Sequence, residues 1–139
     1  TKPEMQTKET DQTATAVNSR WGEASIAGWQ PVPDLLLKHQ VALKLTPTEV
    51  VVLLNVLMHW WFAERKPYPR PTTIAKRMGT APRTVQRALK RLTQKGVIAT
   101  GLKKDGATSY DPTPLVQKLK ELAVDDVVYQ IRKKDIKLA

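Results

Sequence analysis

Residues 71–96 read PTTIAKRMGTAPRTVQRALKRLTQKG, and the spacing of apolar and small residues in this stretch decides the fold. Ile74, Ala75 and Met78 recur at i, i+1 and i+4, one face of a short helix. Thr72 or Thr73 is placed to cap its start, since a hydroxyl accepts from the orphan N–H groups of a first turn. Gly79 then suits the left-handed geometry that ends a helix. Pro82 stands where a first-turn proline is expected, its missing N–H costing nothing there. A second helix is expected from Pro82 to Lys95, stopped by Gly96. Val85, Ala88, Leu89 and Leu92 fall at i, i+3, i+4 and i+7, so they form its inner face. Arg83, Gln86, Arg87, Lys90 and Gln94 fall on the other side.

That outer face carries cations and amides and no acid. Arginine donates two parallel hydrogen bonds to the major-groove edge of guanine, and glutamine does the same for adenine. Two helices joined by a short Gly-containing turn, with such a face on the second, make a helix-turn-helix signature. The run TTIAKRMGTAPRTVQRALKRLTQKGVI resembles the winged-helix domain of bacterial, plasmid and phage regulators and replication initiators. The resemblance covers about residues 43–122. It implies a mainly α fold with a small β-wing, a winged helix-turn-helix, and DNA as the partner. One residue departs from the pattern. Such domains carry Ser or Thr at the cap of the second helix, and Ala81 stands there, after Thr80. Either the helix starts one residue early, on Thr80, or its cap is weak.

Charge is distributed unevenly. Net charge is +10. Residues 65–104 hold twelve Lys and Arg and no acid; residues 1–64 carry net −2 and residues 105–139 net 0, so the whole excess lies on and beside the helix-turn-helix. A concentrated basic field attracts polyanions and speeds their encounter. Interleaved with a periodic apolar core, it reads as a folded basic face rather than a solvated tail.

A chain of 139 residues suits one domain with tails. It has no Cys, so disulfides and thiolate metal sites are excluded, which fits a reducing cytoplasm. No signal peptide is expected, because the first twenty residues contain no apolar run. The apolar run of residues 50–63 is interrupted by Asn55 and His59 and is too short to span a bilayer. The expected localisation is cytoplasmic, on the nucleoid, with no membrane partner.

Residues 1–27 show neither helical nor strand periodicity and read as a flexible N-terminal arm. Trp21, and Trp29 just past this segment, are apolar handles, for packing on the domain or docking on a second subunit. The winged-helix domain is placed at residues 28–123. Asp34 is a candidate cap for a short helix bearing Leu35, Leu36 and Leu37. Residues 41–45 suit a short strand or a connector. Thr46-Pro47-Thr48-Glu49 is a helix start with a capping-box pair and Pro at the first helical position. That helix is expected to run through Trp60 and Trp61 to about Arg65, apolar nearly all round and central in the fold. His59 within it reads as a core residue rather than a metal ligand, and no metal site is expected.

Residues 66–71, KPYPRP, hold three prolines and read as a non-helical linker presenting Arg70. Tyr68 is expected to pack beneath it, with stacking on DNA as the lesser alternative. Asp105-Gly106 between two extended runs is a hairpin signal, and a hairpin after the second helix is the wing. Lys103 and Lys104 belong at its tip. A last helix is expected from Pro114, with Leu115, Leu119 and Leu122 as its stripe. Residues 124–139 form a C-terminal helical extension. Val127, Val128, Ile131, Ile136 and Leu138 there suit packing on the domain or an intermolecular seam.

No catalytic constellation is present: no Cys nucleophile, no Gly-rich phosphate loop and no carboxylate cluster for divalent metal. The expectation is therefore a non-enzymatic protein without cofactor or evident small-molecule ligand, binding double-stranded DNA as a homodimer. Arg83, Thr84, Gln86, Arg87 and Lys90 would meet the major groove. Arg70, Thr72 and Thr73 would touch the backbone, and Lys103 and Lys104 flanking phosphates or the minor groove. A transcriptional regulator is the first reading, a plasmid or phage replication-initiation or maintenance protein the second. A protein-interaction module on the same scaffold is the third.

Overall fold

The computed structural model describes residues 15–61 and 65–134. The chain divides into two compact units between Pro31 and Val32. In the first, residues 15–21 are helical and Gly22–Ala27 form a 3-10 turn. The Ser25 hydroxyl lies 2.5 Å from Asn18 Oδ1 and 2.8 Å from the Gly22 carbonyl oxygen. Residues 15–27 of the expected arm are thus helical despite the lack of helical periodicity, and residues 1–14 lie outside the described residues. Local polar hydrogen bonds close these turns, and they leave no periodic apolar stripe in the sequence. Trp21 is 64% exposed.

The second unit opens with α1 (Asp34–Lys38), followed by turns over residues 39–44 where a strand was one option. Asp34 is the first helical residue rather than the cap, which is Pro33. Helix α2 (Pro47–Met58) begins on the expected capping box. The Thr46 hydroxyl accepts from the Glu49 N–H at 3.2 Å, and Glu49 Oε1 accepts from the Thr46 N–H at 3.1 Å. The helix ends at Met58, well short of Arg65. The N–H groups of His59 and Trp60 donate to the carbonyls of Val56 and Leu57, three residues back, and this tightening closes the helix. Residues 62–64 lie outside the described residues.

Helices α3 (Pro71–Met78) and α4 (Pro82–Gln94) form the helix-turn-helix. Arg70, not a threonine, is the α3 cap residue, with Pro71 first and Thr72 and Thr73 inside the first turn. Proline at that position needs no partner for its nitrogen, and the helix starts two residues earlier than a Thr72 cap would set it, or three earlier than a Thr73 cap. Gly79 follows at φ 66°, and the Thr80 N–H reaches back to the Ala75 carbonyl at 3.0 Å. Helix α4 starts at Pro82 on Ala81, which makes no side-chain cap, so the weak-cap alternative holds. The missing cap forgoes about 1 kcal/mol. Each fully buried Val or Leu contributes roughly 1.5–3 kcal/mol, and α4 buries Val85, Leu89 and Leu92 against α2 and α3. Packing therefore outweighs the cap and holds α4 in place.

Strands β1 (Ala99–Leu102) and β2 (Thr108–Asp111) pair antiparallel, with Thr100 opposite Tyr110. Buried Val97 and Ile98 anchor the hairpin in the core. Gly106, at φ 88°, makes the turn, and Asp105 Oδ1 accepts from the Ala107 N–H at 3.0 Å. A two-stranded wing directly after the second helix of a helix-turn-helix completes a winged helix-turn-helix, mainly α, as expected. Helix α5 (Thr113–Ala123) packs Leu115 and Leu119 inward. Asp126 then caps a separate helix, α6 (Val127–Lys133), accepting from the Tyr129 N–H at 3.0 Å. Val127 and Ile131 on α6 are 71% and 60% exposed, so packing on the domain does not bury them. Ile136 and Leu138 lie outside the described residues.

Candidate nucleic-acid interface

Helical periodicity sorts the side chains of α4. With Val85, Ala88, Leu89 and Leu92 buried, Arg83, Gln86, Arg87, Lys90 and Gln94 are all exposed, and Thr84 is half-buried. The exposed residues divide between two directions. Gln86, Lys90 and Gln94 line a cleft of about 430 Å3 between α4 and the wing, floored by Leu89 and Tyr110 and closed by Thr100 and Thr108. Arg83 and Arg87 lie outside that cleft. The Thr93 and Thr100 hydroxyls meet at 2.9 Å across the junction of α4 with β1 and fix the cleft at its closed end.

The linker sits beside the wing. In extended backbone, alternate side chains face opposite ways. Pro67 and Pro69 are buried while Tyr68 and Arg70 are exposed. The Pro67 carbonyl accepts from the Tyr110 N–H at 2.8 Å, so the linker runs along β2. Lys66 Nζ lies 3.3 Å from Asp111 Oδ1, pinning the linker to the end of the wing. Burial pushes the Asp111 carboxyl up, but hydrogen bonds from Thr113 and the charge of Lys66 outweigh it and hold the group below its ordinary value. The expectation that Tyr68 packs beneath the linker is corrected: the residue is 55% exposed, and Lys103 Nζ sits 3.3 Å from its ring centroid. Two buried prolines flank it, and pleating turns the residue between them outward.

The predicted contacts thus occupy several surfaces. Arg70, Thr72 and Thr73 are exposed around the start of α3. Lys104 is exposed at the tip of the wing, whereas half-buried Lys103 folds back over Tyr68. Arg70 and Lys103 both line a groove beside the linker. No local signal in the sequence links Tyr68 to Lys103; the prolines of the linker supply only the alternation that exposes the ring.

Two buried or half-buried polar groups brace the helices. Glu49 is fully buried, and Lys95 Nζ reaches it at 2.5 Å while donating to the Lys44 carbonyl at 2.6 Å. Burial pushes the Glu49 carboxyl up; the hydrogen bonds from Lys95 and Thr46 and the charges of Lys95 and Arg91 outweigh it, leaving it below its ordinary value. This pair fastens the start of α2 to the end of α4. Arg77 on α3 reaches Asn55 Oδ1 and His59 Nε2 on the α2 side, both at 3.3 Å. Burial and the Arg77 charge both lower the His59 pKa, so the imidazole is neutral near pH 7. Among the described residues no group of His, Cys, Asp or Glu is arranged to hold a metal. No helix among them is long and apolar enough to cross a membrane.

Fold and surface together define a winged helix-turn-helix protein with an acid-free exposed face on its second helix. The family is then specific: residues 32–133 match the DnaD N-terminal domain, and the chain belongs to that family. A crystal structure of the N-terminal domain of DnaD protein from Geobacillus kaustophilus HTA426 is similar at 28% identity and a TM-score of 0.58. The alignment covers 82% of this chain and 96% of that one. The YusO protein from Bacillus subtilis aligns at 14% identity over 93% of this chain and 86% of that one, with a TM-score of 0.43. No curated protein matches the sequence.

Proposed function

We propose that this chain binds double-stranded DNA through its winged helix-turn-helix in the service of replication initiation or maintenance, without catalytic activity of its own. The observation that carries DNA binding is the exposed face of α4, with Arg83, Gln86, Arg87 and Lys90 and no acid. An α-helix fits the major groove of B-DNA, where Arg and Gln read base edges. The replication-related DnaD N-terminal domain family favours this process over the transcriptional reading, which nothing in the comparisons supports. In this reading Arg83 and Arg87 approach bases, while Arg70, Thr72, Thr73 and Lys104 hold phosphates. A homodimer would present two such helices to paired half-sites. The exposed apolar residues of α6, Val127 and Ile131, are candidates for its contact.

Mapping the DNA bound in cells tests the process. Enrichment at a replication origin is expected, and enrichment confined to promoters would overturn the replication reading. A binding titration at several salt concentrations tests the duplex contact. Each neutralised phosphate adds roughly 0.9 to the log–log slope, so about five contacts give a slope of about −4 or steeper.

A further inference from the structure

The groove beside the linker presents aromatic faces that duplex binding does not use. It encloses about 900 Å3 and is lined by aromatic Trp61 and Tyr68 together with His59, Arg70 and Lys103. No acid lines it. Trp61 is 75% exposed and Tyr68 55%, although large rings are ordinarily the groups a small domain most gains by burying. The Lys103 ammonium lies over Tyr68, which sets a cation beside the ring. Exposed rings alternating with cations form a platform for unstacked bases, the rings taking π-faces and the cations taking phosphates. A duplex keeps its bases stacked inside and offers no such faces. An acidic peptide would use the cations and leave the rings idle.

We propose that this linker–wing groove binds single-stranded nucleic acid, with bases stacked on Tyr68 and Trp61 and phosphates on Arg70 and Lys103. None of the α4 residues proposed to enter the major groove lines this site, which shares with the duplex reading only Arg70 and Thr73 at the start of α3. The chain would then be built to hold a strand released next to a duplex. Stacking and phosphate contacts do not read the 2′-hydroxyl, so deoxyribose and ribose strands should bind alike.

The test is fluorescence anisotropy of the full chain with a labelled thymidine oligonucleotide of about 15 nucleotides, within the site size of one binding fold. A uridine oligonucleotide forms a second arm, and binding of either strand supports the site. Tyr68→Ala and Trp61→Ala should each weaken binding by about tenfold, in the range of one base–aromatic stack. Tyr68→Phe keeps the π-face and should bind like the parent, and Trp61, largely in solvent, can be truncated without unfolding the protein. Arg87→Ala should lose duplex affinity and keep the oligonucleotide. The proposal is overturned if the parent chain fails to bind either oligonucleotide, or if both alanine variants bind as well as the parent. It is also overturned if polyglutamate competes as well as the oligonucleotide, or if Arg87→Ala lowers strand binding as much as Tyr68→Ala does. Failure of duplex binding with these results intact would sink the reading of α4 and leave the groove standing.

Discussion

Replacing Glu49 by Gln tests the brace beneath α4. The variant keeps an oxygen to accept from the Thr46 N–H and so preserves the capping geometry of α2. What it removes is the negative charge against Lys95. Hydrogen bonds to charged groups contribute about 1.5–3 kcal/mol, against about 1 kcal/mol for neutral ones. Truncating one partner of a fully buried ion pair costs roughly 3–5 kcal/mol. Glu49 is wholly buried, but the Lys95 side chain is 25% exposed and retains the Lys44 carbonyl, so the penalty is moderated. We expect a loss of about 2 kcal/mol, or a Tm lower by about 8 °C at roughly 4 °C per kcal/mol for a domain of this size. The pH dependence follows from the depressed carboxyl. Its stabilisation is present above the ordinary value of 4.5 and is lost as pH falls through the lower folded value. The parent should therefore exceed the variant at pH 7 and converge on it in acid, because a protonated Glu resembles Gln. Thermal and urea unfolding at pH 7 and at several acid pH values measure this. Equal stabilities at pH 7, or a difference that does not shrink in acid, would refute the argument.

Arg87→Ala should weaken binding to the true duplex site far more than to scrambled duplex, a discrimination of ~1–3 kcal/mol if the guanidinium pairs with a guanine. Equal loss on both duplexes would make Arg87 a backbone contact. Lys104→Ala at the wing tip should weaken both duplexes alike and reduce the salt slope by roughly one unit, as read from titrations at several salt concentrations. Light scattering of the full chain should return twice the 15.6 kDa protomer mass, and Ile131→Asp on exposed α6 should move it toward the monomer. A parent that is monomeric both free and on DNA would exclude the dimer.

Several features were legible in the sequence because they are local. The period of Val85, Ala88, Leu89 and Leu92 specifies both faces of α4, since a helix repeats every 3.6 residues whatever surrounds it. The Thr46–Glu49 capping box, the left-handed Gly79 and the Asp105-Gly106 turn follow equally from residues a few positions apart. Family-level resemblance in residues 72–98 points to the winged helix, while the family match over residues 32–133 favours the replication reading that the sequence places second. The shorter stretch is shared by regulators and replication initiators, and membership of one family separates them only over a longer match.

Tertiary structure alone decided the rest. Glu49 and Lys95 stand 46 residues apart, and only the packing of α2 on α4 closes that distance. Trp60 and Trp61 continue an apolar run, so the pattern extends α2 past Met58; the helix ends where its last N–H groups turn to carbonyls three residues back. Tyr68 meets Lys103 because the Pro67 carbonyl pairs with Tyr110 and lays the linker along the wing. The candidate strand groove exists only in that pairing. Periodicity reports which face of one element is apolar, and says nothing about which exposed side chains of different elements are brought to face one another.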